Sequence, residues 1–359
     1  MVRPTIAQPP LPCKPKMLKN QRKRDCCNNK TDFALSTAPR NSIIGGVPTI
    51  CAIIPHFDSQ ERTLTCLNRV IQQTRRVDSV ILVNNGPKDA PVLEAAEKIA
   101  TQALPGGALH ILQPERNLGN IGACARGMEH AFRTLKADYV WPLDDNTWAR
   151  PAALEHLLAA ETDSRTICMC VGIAPAQGDE LSRPLSLPGS TPGVWIPTAR
   201  RSELPEGNAV LCRGGFFGAL YPRSVWECTG APAEELFTQG TDEYSWKLQQ
   251  AGFSFATIMN AELELPAAAK ALIHYRLANR SFFYEPGITV ERQYYKMRNW
   301  AWLQRLRAPR NYLARLIHCG FYITLALWAM VCCKELTPRR VYNLFRALHN
   351  GFYGKLRPY

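Results

Sequence analysis

The sequence predicts an α/β protein built on an open, Rossmann-like, mostly parallel sheet flanked by helices. Three observations carry that prediction. Short apolar runs alternate with stretches of helical period between residues 49 and 143. The first run, 49–55 (TICAIIP), is almost unbrokenly apolar, as a parallel strand buried on both faces requires. Three of the runs end in polar clusters, and open α/β sheets bind ligands beyond the carboxyl ends of their strands.

The elements follow in order. After the first strand, Leu64, Leu67, Val70 and Ile71 recur at helical spacing. Val80 to Val83 is a second strand, stopped by Asn84-Asn85-Gly86-Pro87, a strong turn signal. Val92, Leu93, Ala96 and Ile99 mark a second helix, Leu109 to Leu112 a third strand, and Ile121, Ala125, Met128 and Phe132 a third helix. A strand over 138–143 then runs directly into Asp144-Asp145-Asn146. Residues 175–210, rich in Pro, Ser and Gly, read as a long loop. Helices are expected over 242–251 and 290–306.

Composition bounds the function. The chain of 359 residues has room for a large core, and 46% hydrophobic residues exclude wholesale disorder. The formal charge of +13 sits at the ends. Residues 1–40 carry nine Lys/Arg against Asp25 and Asp32, and 300–359 carry ten against Glu335 alone, which leaves the middle mildly acidic. No nucleic-acid partner is expected, because the middle lacks excess positive charge and no basic stretch is interleaved with aromatics. Residues 1–47 have no periodicity and read as a disordered basic arm without a secretory signal. Thirteen cysteines without metal-site spacing point to a reducing, cytoplasmic compartment. The uncharged stretch 316–333 is short for a membrane span. With Arg339, Arg340 and Arg346 behind it, it reads as an interfacial helix on the anionic inner face of a plasma membrane, or as a buried or dimer-forming helix.

Three clusters fall at strand ends: His56-Phe57-Asp58, Asn84-Asn85 and Asp144-Asp145-Asn146. The last is a concentrated set of oxygen ligands, suited to a hard divalent cation such as Mg²⁺ or Mn²⁺; the bland alternative is a solvated turn with helix-capping acids before Pro151. Asp242 and Glu243 open a helix, either as a general base or as acids that favour its dipole. His274 is either a metal ligand or a structural histidine. Phe216, Trp246 and Trp195 can stack on a sugar or pack a core.

The order of these features resembles family 2 glycosyltransferases of the GT-A fold, in particular the bacterial rhamnosyl- and galactofuranosyltransferase branch. Pro55-His56-Phe57-Asp58-Ser59 stands where that branch has a Thr-Tyr-Asn-Arg-like turn, and Val83-Asn84-Asn85 where it has Val-Asp-Asn. Asn117-Leu-Gly-Asn-Ile-Gly-Ala-Cys-Ala-Arg-Gly127 looks like its Asn-Leu-Gly-Gly-x-Gly-Gly-x-x-x-Gly element. Asp138-Tyr-Val-Trp-Pro-Leu-Asp-Asp-Asn146 is similar to its Trp-x-Leu-Asp-Asp-Asp motif. The likeness runs through Gly214 to Ala219, Leu236 to Lys247, Arg298-Asn299 and Arg346 to Gly351, and so covers about residues 48–355.

The resemblance implies an enzyme, an inverting transferase moving a rhamnose- or galactofuranose-like sugar from a UDP- or dTDP-sugar to a glycan or lipid-linked acceptor in cell-surface polysaccharide synthesis. It implies a donor half over about 48–165, an acceptor half over about 210–285, and a helical region over 286–359 for membrane association or oligomerisation. Pro55, His56, Asp58, Asn84, Asn85, Asn117, Gly119, Arg126, Asp144 and Asp145 would face the donor. Asp144, Asp145, Asn146 and His274 would hold the cation. Asp242, with Glu243 as fallback, would be the base, and Phe216, Trp246 and Trp195 would meet the acceptor. Asn84, Asn146 and a base element one residue short depart from the family pattern. These departures leave a silent glycan- or nucleotide-binding scaffold as the alternative.

Overall fold

The computed structural model describes residues 47–359 except 89, 105, 107, 174–177, 191–194, 266–272 and 278–279, and the side chains of 183, 274–277 and 280–283. The basic arm over 1–46 lies outside the described residues. The donor-side elements are β1 (Ile50–His56), α1 (Gln60–Ile71), β2 (Ser79–Asn84), α2 (Pro91–Ala103), β3 (Leu109–Leu112), α3 (Gly119–Arg133) and β4 (Tyr139–Pro142). Each falls where the apolar periodicity places it.

The rest of the sheet comes from β5 (Trp148–Ala149), β6 (Thr166–Ile173), β9 (Ala209–Cys212), β10 (Ala219–Pro222) and β11 (Ser254–Glu264), with α4 (Ala153–Ala159), α5 (Arg223–Thr229) and α6 (Gly240–Gln250) between them. The main path of the sheet runs β3-β2-β1-β4-β10-β6-β11-β5. Its first four strands are parallel, as expected. Beyond them the sheet is mixed: β10 is antiparallel to both β4 and β6, and β5 and β9 are antiparallel to β11.

Strand alternation divides the core. Ile50, Ala52 and Ile54 of β1 join the cluster under α1 and α2, while Cys51 and Ile53 join Ile121, Cys124 and Met128 of α3 on the other face. A β1 buried on both sides is why its sequence shows no polar alternation. No disulfide joins the ten described cysteines.

One expectation is corrected. Within the stretch read as a long loop, β7 (Glu180–Pro188) and β8 (Trp195–Arg200) pair antiparallel and carry the sheet outward from β6. Pro184, Pro188 and Pro197 lack the N–H that a central strand must donate, and they pass for loop signals although edge strands tolerate them. A separate hairpin, β12 (Ile273–Leu277) with β13 (Arg280–Tyr284), precedes the C-terminal helices.

Those helices are α7 (Val290–Arg307), α8 (Tyr312–Cys332) and α9 (Pro338–Phe352). They share a third core of Tyr294, Met297, Ala301, Ala326, Met330, Leu344 and Leu348. Thr289, Asn311 and Thr337 cap the three N-termini, each side chain accepting from a backbone N–H three residues on. Helix α8 is long and apolar enough by length and composition to cross a membrane, and a third of its apolar window is buried in the protein. Its outer face is a stripe of Leu313, Leu316, Ile317, Trp328 and Val331, all exposed. On the same stripe the Thr324 hydroxyl donates to the Gly320 carbonyl at 3.1 Å, so the only polar atom there is turned back into the helix.

Candidate active site

The register of the parallel strands brings the three polar clusters together. His56 pairs with Asn84 across β1 and β2, and Leu143 donates its N–H to the Ile53 carbonyl at 2.9 Å, which sets the acids just beyond β4. The turn from Asp144 to Thr147 is closed by the Thr147 N–H and hydroxyl, both donating to the Asp144 carbonyl. The Cys66 thiol of α1 backs this turn; burial raises its pKa well above the ordinary value, so it stays a neutral packing group.

Asp145 accepts from Arg62 at 3.3 Å, and the same guanidinium bridges to Asp58 at 2.7 Å. Burial raises the Asp145 carboxyl above its usual value, and the Arg62 charge only partly offsets that. The Asn146 Oδ1 is buried and finds no hydrogen-bond partner. A desolvated carboxylate beside an orphaned amide oxygen is a donor set that a hard cation satisfies. Among the described residues no three His, Cys, Asp or Glu side chains converge. Mg²⁺-type sites do not need three, since they commonly combine one or two carboxylates with water and substrate phosphates. The residues therefore fit a divalent cation held by Asp144, Asp145 and Asn146. His274 lies on β12 opposite Phe283, and its side chain is outside the described residues.

Other donor-side residues hold the scaffold in place. Asn84 donates through Nδ2 to the Pro87 carbonyl and to Gln113, both at 2.7 Å, and accepts from the Gly86 N–H. Its polar atoms are thus engaged in the turn, where an acid could not make the two donations. Asn85 accepts from the Leu118 N–H and donates to the Gly119 carbonyl, fixing the loop in which Asn117 accepts from the Gly119 N–H. His56, buried in β1 next to buried Pro55, pairs through Nδ1 with Thr63 at 2.8 Å, and burial lowers its pKa. Arg126 is ion-paired with Glu234 at 2.6 Å.

A cavity of about 400 Å³ lies beside the acid turn. Its wall includes Thr147, Phe216, Asp242 and Trp246, so the residue that closes the acid turn and the head of α6 face one hollow. Asp242 is exposed into it. Glu243 points away: it is 5% exposed, receives the Ala233 N–H at 3.4 Å, and burial raises its pKa. Phe216 lines the cavity but is buried and packed against Tyr221 and Tyr244. Trp195 lies on β8 and is not part of the cavity wall. Sequence reading missed Arg62, Arg213 and Arg307, the last two on the cavity wall. Isolated arginines carry no spacing signal, and only the fold brings them to the site.

The α/β sheet with flanking helices is the fold of GT-A glycosyltransferases. Residues 51–228 match the glycosyl transferase family 2, about half the chain, and through this segment the chain belongs to that family. It is 28% identical over 219 residues to galactofuranosyltransferase GlfT1 of Mycolicibacterium smegmatis, covering 59% of this chain and 69% of that protein. Among solved structures, S. aureus TarS 1–349 in complex with UDP-GlcNAc superposes with a TM-score of 0.51 at 15% identity, over 84% of this chain and 80% of that one. GalNAc-T7 with UDP, GalNAc and Mn²⁺ gives 0.48 at 16% identity, and this chain spans 44% of its length.

Proposed function

We propose that this glycosyltransferase inverts configuration as it moves a galactofuranose- or rhamnose-like sugar from a UDP- or dTDP-sugar to a hydroxyl of a glycan or lipid-linked acceptor in bacterial surface polysaccharide synthesis. The observation that carries the reading is the single cavity shared by Asp242 and Thr147, the latter closing the Asp144–Asn146 turn. The galactofuranosyltransferase relative supports the sugar class, and the TarS fold is compatible with a nucleotide-sugar donor.

In this reading Asp242 accepts the proton of the acceptor hydroxyl while that oxygen bonds to the anomeric carbon and the bond to the nucleoside diphosphate breaks. Asp144, Asp145 and Asn146 would hold a divalent cation, which would supply positive charge to offset that of the departing diphosphate. Arg62 keeps Asp145 oriented, and Trp246 offers a face to the acceptor sugar. In this reading the enzyme works on an anionic membrane surface, where a lipid-linked acceptor resides, and the exposed apolar stripe of α8 with the cations near its ends supports that.

Transfer from radiolabelled donor is the test. Asp242→Asn should lose about 100-fold or more of turnover while donor affinity is kept, and Glu243→Gln should retain most of it. EDTA should stop transfer, and Mn²⁺ or Mg²⁺ should restore it. A near-native rate in Asp242→Asn removes that residue as base, and turnover unaffected by EDTA removes the cation.

A further inference from the structure

The cavity beside α6 holds more positive charge than the proposed reaction uses. Asp242 shares its wall with Arg213, just after β9, and with Arg307, the last residue of α7. Most guanidiniums near the sheet are engaged: Arg62 with Asp58 and Asp145, Arg150 with Glu262 and Glu264, Arg201 with Glu262. Arg213 and Arg307 have no ion pair within 4.0 Å, and neither side chain donates a hydrogen bond among the described residues. Both side chains are exposed at the cavity wall, and partial desolvation lowers the Arg307 pKa, with the Asp242 charge pulling it back and the Arg213 charge adding to the fall. Two like charges open to one hollow draw an anion into it. The donor phosphates, in the reading above, belong to the acid turn, so they leave this charge uncompensated.

We infer that Arg213 and Arg307 form an oxyanion subsite for the acceptor, gripping a phosphate ester on the acceptor molecule while its reacting hydroxyl lies at Asp242. This rests on the proposed function for the identity of the acceptor side. A phosphate fits better than a carboxylate because it presents non-bridging oxygens to two separate guanidinium forks. Arg307 stands five residues before α8, so a phosphate ester arriving with a lipid would meet the pair at the foot of the apolar stripe. The sequence gives no hint of the pair, which lies 94 residues apart and on different elements.

The probe is inorganic pyrophosphate, titrated calorimetrically into the full chain in EDTA, with Arg213→Gln, Arg307→Gln and Asp145→Asn alongside and thermal unfolding as the control for folding. We expect the parent protein to bind, each arginine variant to lose about tenfold or more in affinity, Asp145→Asn to bind as the parent does, and the Arg→Lys variants to recover part of the loss. Absence of binding by the parent, parent-like affinity in the arginine variants, or loss in Asp145→Asn would overturn the subsite. In a second arm, phosphatidylglycerol vesicles are sedimented with the same proteins. Unchanged vesicle binding by the arginine variants supports an acceptor subsite, whereas losses matching those for pyrophosphate assign the pair to lipid headgroups and overturn it. Because no sugar is transferred in either arm, a negative result leaves the glycosyltransferase reading intact, and that reading fails separately through Asp242→Asn.

Discussion

Asp242 and Glu243 are neighbours in sequence with opposite surroundings. Helical geometry separates adjacent side chains by about 100°, so one faces the cavity and the other the body of the domain. The consequence is a pH signature. Glu243 has its folded-state pKa raised by burial, so its ionisation costs stability. Below the ordinary carboxylate range it is protonated in both folded and unfolded chains and imposes no penalty. As pH rises through the raised value the folded state must ionise a buried group, and stability falls. Glu243→Gln should therefore unfold at a higher temperature than the parent at pH 8, with the difference vanishing near pH 4, as scanning calorimetry would read. The sequence shows two acids at a helix start and nothing about which is buried. That depends on where the 231–235 segment packs, a long-range fact.

At the scale of elements, the sequence reveals most where local and tertiary preferences agree. The βαβ series was legible because each strand is apolar and each helix amphipathic. The β7–β8 hairpin was not, since its prolines and partial exposure hide the alternation. Glycines at 119, 122 and 127 let neighbours come close to α3, but nothing in the sequence names those neighbours. Gly119 has φ of 68°, and a Cβ there would collide with the Phe237 carbonyl just before α6. Gly119→Ala should thus weaken the contact that seats the base helix and cost about 1–3 kcal/mol in chemical denaturation. The helix α7 acts on the same loop. Arg298, fully buried, donates to the Glu235 and Arg357 carbonyls at 2.7 Å each, and Asn299 donates to the Thr238 carbonyl. Arg298→Met removes the charged donor to the Glu235 carbonyl and one of the two donors to the Arg357 carbonyl and should cost about 3 kcal/mol, with turnover falling further than donor affinity.

For the whole molecule, the uneven charge legible in the sequence acquires a location. The only acid in the last 60 residues, Glu335, is tied to Arg340 at 3.4 Å and to the Tyr284 hydroxyl at 2.8 Å, so the tail's acid is neutralised internally while Lys334, Arg339 and Lys355 stay exposed. Helix α8 extends about 31 Å at 1.5 Å per residue, and its exposed stripe carries no charged side chain between Leu313 and Val331. Two copies meeting through this face would bring like-charged rims together, which favours an anionic bilayer over a dimer as its cover. Replacing Ile317 and Trp328 together by Glu should abolish sedimentation with phosphatidylglycerol vesicles while leaving transfer to a water-soluble acceptor unchanged. Raising the salt concentration should weaken the parent's vesicle binding without abolishing it.

The anchoring of Arg298 reaches the far end of the chain. The Arg357 carbonyl also receives the Tyr294 hydroxyl at 3.1 Å, and the Tyr359 N–H donates to the Tyr295 hydroxyl at 3.2 Å. The last handful of residues thus buttresses the helix whose other partner is the loop leading to Asp242. Trimming 355–359 would remove nothing from the cleft itself, yet it would loosen the wall against which the chemistry is braced. Any shortened version of this enzyme meant to retain activity has to keep its final turn of polypeptide.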